Sequence, residues 1–260
     1  MVMGPTHAMS GAAVGLAIAQ SLPAEWGGVT TVEETLVYAG LTAGAALLPD
    51  LDSPQATVAR SFGLLSQVAA RTVENFSQGF VNLTRGRKDP RCRNGHRTLT
   101  HTVWFALAAG AGATALIGAY GKSAVIGLLF FLLSLAIRGL LPEWSKKSDW
   151  LVVTGAAGAL AYGAWLYVPA ASLGLVLGSA VTAGVATHLL GDLATKRGIP
   201  LFAPVLPLGG RRWWNLRLPR FLSFTASGPA DKALLTLFSI LVVAQISLLA
   251  SPPLLGALGL

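Results

Sequence analysis

An all-α bundle crossing a membrane about seven times is the fold class this sequence predicts. Three observations predict it. Only 12% of the residues are charged while 53% are hydrophobic, mean hydropathy is +0.61, and apolar stretches near membrane length recur along the 260 residues. That charge content is about half that of a soluble domain, and a run of about 20 apolar residues reads as a spanning helix. The candidates are 8–22, 35–49, 101–119, 123–141, 150–168, 171–190 and 232–250. Nothing divides the chain, so 1–260 reads as a single membrane-embedded domain.

The first two candidates are short for a hydrocarbon layer of about 30 Å, which predicts that they are tucked between other helices or extend into their flanks. Met1–His7 holds no Lys or Arg to make an n-region, so the first run is expected to be a retained helix rather than a signal peptide. The 23–34 loop carries Glu25, Glu33 and Glu34 and no basic residue. In the 50–99 loop, Val58, Phe62, Leu65, Ala69 and Val73 recur at helical spacing among Arg60, Gln67, Arg71 and Glu74. Residues 55–75 therefore read as an amphipathic helix, lying on the cytoplasmic leaflet or packed over the bundle's inner mouth. Thr84–Gly95, polar and basic, is expected to be mobile. Gly110-Ala111-Gly112-Ala113 and Gly155-Ala156-Ala157-Gly158 are small-residue stretches that let helix backbones approach. In 192–232, Pro200, Pro204, Pro207 and Pro219 exclude long helices. Trp213 and Trp214, beside Arg211, Arg212 and Arg217, fit an interfacial anchor or a wall for a lipidic substrate. Ser227-Gly228-Pro229-Ala230-Asp231 is a start signal for the last helix.

The cations thread these helices. Arg60, Arg71, Arg85, Arg87, Lys88, Arg91, Arg93 and Arg97 lie in 50–99. Arg138, Lys146 and Lys147 lie at or after the end of the fourth run, and Lys196, Arg197, Arg211, Arg212, Arg217, Arg220 and Lys232 lie in 192–232. Lys122 alone falls in a loop of the opposite set. The positive-inside rule makes 50–99 and 192–232 cytoplasmic loops, with the N-terminus inside and the C-terminus outside. Topology thus accounts for the net charge of +8, and no groove-reading or RNA-binding signature suggests a nucleic-acid partner. The single cysteine, Cys92, can form neither an internal disulfide nor a thiolate metal site.

In this threading His7 lies at the inner start of the first helix, and Asp50 and Asp52 at the inner end of the second. His96 and His101 lie at the inner start of the third, and His188 and Asp192 at the inner end of the sixth. Each alone has a plain explanation, since a helix-end histidine is ordinarily hydrogen-bonded and an Asp beside Pro is often a cap or turn former. Converging at one depth from four segments, they are the ligand chemistry of a divalent ion: zinc, or else manganese or iron. His188 and Asp192, four apart, share a helix face. Asp50 and Asp52 would point the same way if extended, and the five-residue spacing puts His96 in the loop before the helix that follows His101.

Pro49-Asp50-Leu51-Asp52-Ser53-Pro54, His96-Arg97-Thr98-Leu99-Thr100-His101 and His188-Leu189-Leu190-Gly191-Asp192, after an N-terminal Thr6-His7, resemble the YdjM-like family. The likeness runs from residue 5 to about 205. It implies an inner-membrane-associated, metal-dependent hydrolase. Their order is similar, more weakly, to the zinc-dependent phospholipase C and single-strand nuclease group. This chain has fewer histidines and carries residues before His7, so one or two ions are expected rather than three. Water activated by the metal would attack an ester or phosphoester. Two metals would be bridged by one aspartate, Asp50, Asp52 or Asp192; Asp52 and Arg97 are the expected catalytic residues, Arg97 to contact a phosphate oxygen. A site at the inner interface points to a membrane lipid or other amphiphilic substrate, such as a polyprenyl phosphate. The rivals are a transporter, whose ionisable groups would lie nearer the bilayer midplane, and a non-catalytic scaffold stabilised by metal.

Overall fold

A computed structural model describes residues 3–56, 63–148, 150–167 and 173–251. The helices are α1 (Gly4–Ile18), α2 (Val32–Ala45), α3 (Gly63–Thr84), α4 (Val103–Tyr120), α5 (Lys122–Leu140), α6 (Pro142–Lys147), α7 (Trp150–Tyr167), α8 (Leu173–Leu193) and α9 (Pro229–Leu249). Among the described residues there is no strand, only isolated bridges such as Ile199 with Leu216. Local chemistry sets the boundaries. Pro5 opens α1 and Pro229 opens α9, positions where a missing N–H costs nothing. A capping box starts α2: Thr31 Oγ1 accepts from the Glu34 amide at 3.2 Å while Glu34 Oε2 accepts from the Thr31 amide at 3.2 Å. Thr102 caps α4 through the Phe105 amide at 3.2 Å.

Four helices, α4, α5, α8 from Gly174, and α9, are long and apolar enough to cross a membrane. The apolar part of α7, Leu151–Leu166, is shorter. α1 and α2, of 15 and 14 residues, reach only roughly 21–23 Å at 1.5 Å per residue. Both are tucked among longer helices, as their length suggested: α2 packs on α1, α5 and α8, and α1 also on α8 and α9. Tyr38, Leu41, Ala43 and Ala45 of α2 are fully buried. Outside this nucleus α4 packs on α8 and α7 on α5. Leu107 and Leu116 of α4, Leu160 and Leu166 of α7, and Leu237, Ile240 and Val243 of α9 are exposed. An apolar surface of this extent is a liability in water and is satisfied by lipid.

Small residues at the contacts work as expected at some positions only. A Cβ on Gly110 would collide with Thr182 Oγ1 of α8, whereas nothing approaches Gly112, Gly155 or Gly158. Of these four glycines, Gly110 is the one that a close helix approach requires among the described residues.

α3 lies against the turns Pro49–Asp52 and Leu99–His101, over the polar end of the bundle. It ends at Thr84 rather than near 75, because Ala70, Ser77 and Val81 carry its buried face forward. Val58, Arg60 and Phe62 of the anticipated helix lie outside the described residues. Thr84–Gly95, expected to be mobile, is instead held by hydrogen bonds. Asn82 and Cys92 bond reciprocally through Cys92 N–H to Oδ1 at 2.9 Å and Nδ2–H to the Cys92 carbonyl at 3.0 Å. Asp89 Oδ2 accepts from the Gly86, Arg212 and Trp213 amides at 2.8, 2.8 and 3.1 Å. The two basic loops are thereby joined to each other. Trp213 docks on α3, edge-on to Phe80 with its Nε1–H on Thr84 Oγ1 at 3.1 Å.

Gly110→Ala should lower the unfolding temperature of the detergent-purified protein, by an overpacking cost of about 1–3 kcal/mol. Gly112→Ala should be neutral or slightly stabilising. Equal effects of the two would mean that α4 and α8 do not approach at Gly110.

Candidate metal centre

Each polar side chain reaches the end of the bundle for a local reason. His7 sits in the first turns of α1 and His188 and Asp192 in the last turns of α8. His101 ends the turn before α4. Pro49 starts a tight helical turn through Asp52, so Asp50 and Asp52 are not extended. At about 120° per residue their carboxylates diverge, and they take different partners. Gly95 lies where a Cβ would collide with the Glu74 carbonyl of α3, which lets the His96–Arg97 segment press against that helix. Arg97 itself has φ 57°, the left-handed region that an arginine rarely adopts.

The inner set is made of acceptors. His188 Nδ1 lies 2.7 Å from the Ala46 carbonyl, which can only accept, so Nδ1 carries the proton and Nε2 the lone pair. Thr100 Oγ1–H donates to Asp52 Oδ2 at 2.5 Å, and Thr100 Oγ1 lies 2.9 Å from His101 Nδ1. His101 Nδ1–H then donates to the hydroxyl oxygen, and in the neutral ring, the form that binds a metal, its Nε2 is also a lone pair. The two Nε2 atoms face each other at 3.2 Å. Asp192 Oδ2 lies 3.3 Å from His101 Nε2 and 3.7 Å from His188 Nε2, buried and with no hydrogen-bond partner among the described residues. Asp50 Oδ1 stands 4.0 Å from His188 Nε2. Burial raises the Asp50 carboxyl above its ordinary pKa.

Lone pairs converging without a donor repel, and a cation between them removes the repulsion. The spacing fits one. Bond lengths of 2.0–2.1 Å in a tetrahedral site put ligand atoms about 3.3–3.4 Å apart. Two overlapping sets could hold a metal ion: half-buried Asp50 with buried His101 and His188, and buried His7, His188 and Asp192.

Around this set lies a second ring of contacts. Asp52, fully buried, takes His96 Nδ1 at 2.6 Å on Oδ1, and the Arg97 amide at 3.2 Å and Thr100 on Oδ2. His101 Nδ1 is 3.6 Å from that Oδ2. Arg97 Nη2 donates to Asp192 Oδ1 at 2.6 Å and Nη1 to Thr195 Oγ1 at 3.2 Å. His7 stacks on His188, ring centroids 3.9 Å apart, with Nε2 3.4 Å from Asp192 Oδ1. A Cβ on Gly191 would lie 2.9 Å from His7 Cε1, so that glycine makes room for the ring.

All seven anticipated ligand residues thus meet in one network. Asp50, His101, His188 and Asp192 face a common centre with His7 beside it, while His96 and Asp52 pair behind His101. Arg97 reaches the cluster with both terminal nitrogens already engaged by Asp192 and Thr195. Thr100, Thr195, Gly191, Gly95 and the Ala46 carbonyl were not singled out from sequence. Thr100 and Gly191 stand inside the motif blocks, and Thr195 follows Asp192 by one helical turn, so adjacency was the signal that could have found those three. A backbone carbonyl leaves no such trace.

A family model described as YdjM inner membrane protein matches residues 1–251. Neither a curated protein nor a solved structure matches the chain. Together with the membrane-length apolar helices, the match places the chain in the inner membrane as a multi-pass protein.

Asp52→Ala should unfold at a markedly lower temperature, because it removes the acceptor of the Thr100 hydroxyl and of the Arg97 amide. Each buried unsatisfied group costs about 1–3 kcal/mol. Asp50→Ala strands no donor and should cost far less. Matching melting temperatures for the two variants would remove Asp52 from its supporting role.

Proposed function

The chain belongs to the YdjM inner membrane protein family, and we propose that it is a membrane-embedded, metal-dependent hydrolase of an amphiphile's phosphoester. The observation that carries the reading is the set of three buried acceptors, His101 Nε2, His188 Nε2 and Asp192 Oδ2, that meet without a donor. Two imidazoles and carboxylate oxygen suit zinc, with manganese or iron as alternatives. One ion is favoured over two, because the Arg97 guanidinium already occupies Asp192 Oδ1 and would repel a second cation there.

When bound, the metal would lower the pKa of a water and stabilise charge on the substrate's oxygens. The protein's own groups do the rest. Asp50 is the least enclosed member, its side chain 17% exposed against 0–1% for His101, His188 and Asp192. It borders the open position that a catalytic site keeps, and there it takes the proton of the attacking water and returns it to the leaving oxygen. Thr100 and Asp52 hold His101, and the Ala46 carbonyl holds His188, fixing tautomer and ring orientation. Arg97 holds Asp192 so that Oδ2 turns inward. With both its nitrogens engaged, Arg97 is assigned here to positioning rather than to gripping phosphate, and Asp52 to orienting rather than reacting. An anionic head is favoured by the basic loops, joined through Asp89 at one end of the chain's fold. That joining supports a shared side for the two loops; the topology proposed with it, from the charge asymmetry, has both loops cytoplasmic, the N-terminus inside, the C-terminus outside and about seven crossings.

A structural ion is the second reading, favoured by how thoroughly His101, His188 and Asp192 are enclosed. Elemental analysis and ester panels separate the two. His101→Ala, His188→Ala and Asp192→Ala should each lose metal, and full occupancy in a His101/His188 double variant would sink the site. Asp50→Asn should keep the metal and lose hydrolysis of phosphomonoesters or phosphodiesters. Wild-type protein with metal bound but no turnover on any phosphoester or carboxyl ester would establish the structural ion instead.

Reporter fusions test the topology. Insertions in 85–93 and 205–220 should report cytoplasm and a fusion after Leu260 the outside. A cytoplasmic C-terminus would overturn the proposed threading.

A further inference from the structure

Beside the candidate metal centre a cavity of about 300 Å³ lies between α1, α8 and α9, at the small end of ligand pockets. Its walls are mostly apolar, among them Val14, Leu190, Phe224, Leu234 and Phe238, and His7 forms part of its lining. The same His7 stacks on His188 and approaches Asp192, so the cavity adjoins the acceptor set across a single imidazole. α9 packs chiefly on α1 and is tied to it by two polar bonds. Thr6 Oγ1–H donates to Asp231 at 2.7 Å, and Gln245 Nε2–H to the Ala13 carbonyl at 3.2 Å. Leu234 and Phe238, one turn apart on α9 and between these ties in sequence, line the cavity.

We infer that this groove receives one hydrocarbon chain of the amphiphile whose phosphoester head lies at the metal centre. The inference rests on the hydrolase reading and adds the place and the number of its chains. α8 and α9, which border the groove, are both of membrane-spanning length and apolarity, and the rim residue Leu190 is 66% exposed. The surroundings of such a rim are acyl chains, not water. An apolar cavity does not hold water well, and only Thr6, His7, Ser10 and Thr187 of its lining carry polar side-chain atoms. The volume suits a single chain. His7 then marks the boundary between head and tail: its Nε2 lies 3.4 Å from Asp192, one face stacks on His188, and the residue forms part of the cavity wall.

A dodecyl phosphonate bearing a diazirine at the chain end tests this on metal-loaded protein in lipid nanodiscs, with labelled peptides mapped by mass spectrometry. Label should concentrate on the peptides holding Leu190, Leu234 and Phe238. It should be lost there on chelation, and lost again in Leu234→Trp and Phe238→Trp, whose retained metal shows that the site is still assembled. Metal-loaded protein labelled evenly on the outer faces of α4, α7 and α9, indifferent to chelator and to both variants, would overturn the groove and leave the metal centre standing. Protein that binds no metal would overturn the hydrolase reading and this inference with it.

Discussion

The polar end of the bundle depends on one buried carboxylate. Asp192 presents Oδ1 to the Arg97 guanidinium and Oδ2 to two imidazole lone pairs. A carboxylate so enclosed is costly unless it is paired and hydrogen-bonded. The guanidinium satisfies half of that demand and leaves the other half directed at His101 and His188. The left-handed backbone of Arg97 is accepted for the same reason: the residue meets two aspartates at once, through its amide to Asp52 and its side chain to Asp192.

Asp52 plays the matching part on the outer side. It collects a ring nitrogen, an amide and a hydroxyl from one six-residue block, His96 to His101. That block is thereby bound to the turn after α2. The short helices serve the same end. α1 and α2 do not need the length of a bilayer, because longer helices surround them, and their termini can stop where the cluster requires. Gly191 and Gly95 contribute by absence, one admitting the His7 ring and the other a close approach to α3.

Placed at the polar end of an inner-membrane bundle, the cluster faces two solvents. One side is roofed by α3 and the joined basic loops. The other adjoins an apolar groove bordered by membrane-length helices. That pairing of a basic roof with an apolar flank is what the proposed amphiphilic substrate, with an anionic head and an apolar chain, would require.

The sequence by itself determined the helical class, the membrane setting and the identity of the polar cluster. Hydropathy and charge asymmetry are summed over many residues, and the histidines and aspartates could be read as a set because each ends an apolar run. It did not determine which of them face inward. Asp50 and Asp52 are alike in sequence, yet a tight turn at Pro49 in place of an extended strand sends one to the centre and the other to His96. Periodicity records that α1 and α2 are apolar, not whether lipid or protein covers them. The partners that orient the site lie far along the chain, with Asp52 and His96 44 residues apart and His188 and the Ala46 carbonyl 142 apart. Contacts of that range are chosen by how helices pack, and so the roles of Arg97, Thr100 and the groove beside His7 were decided only by the tertiary structure.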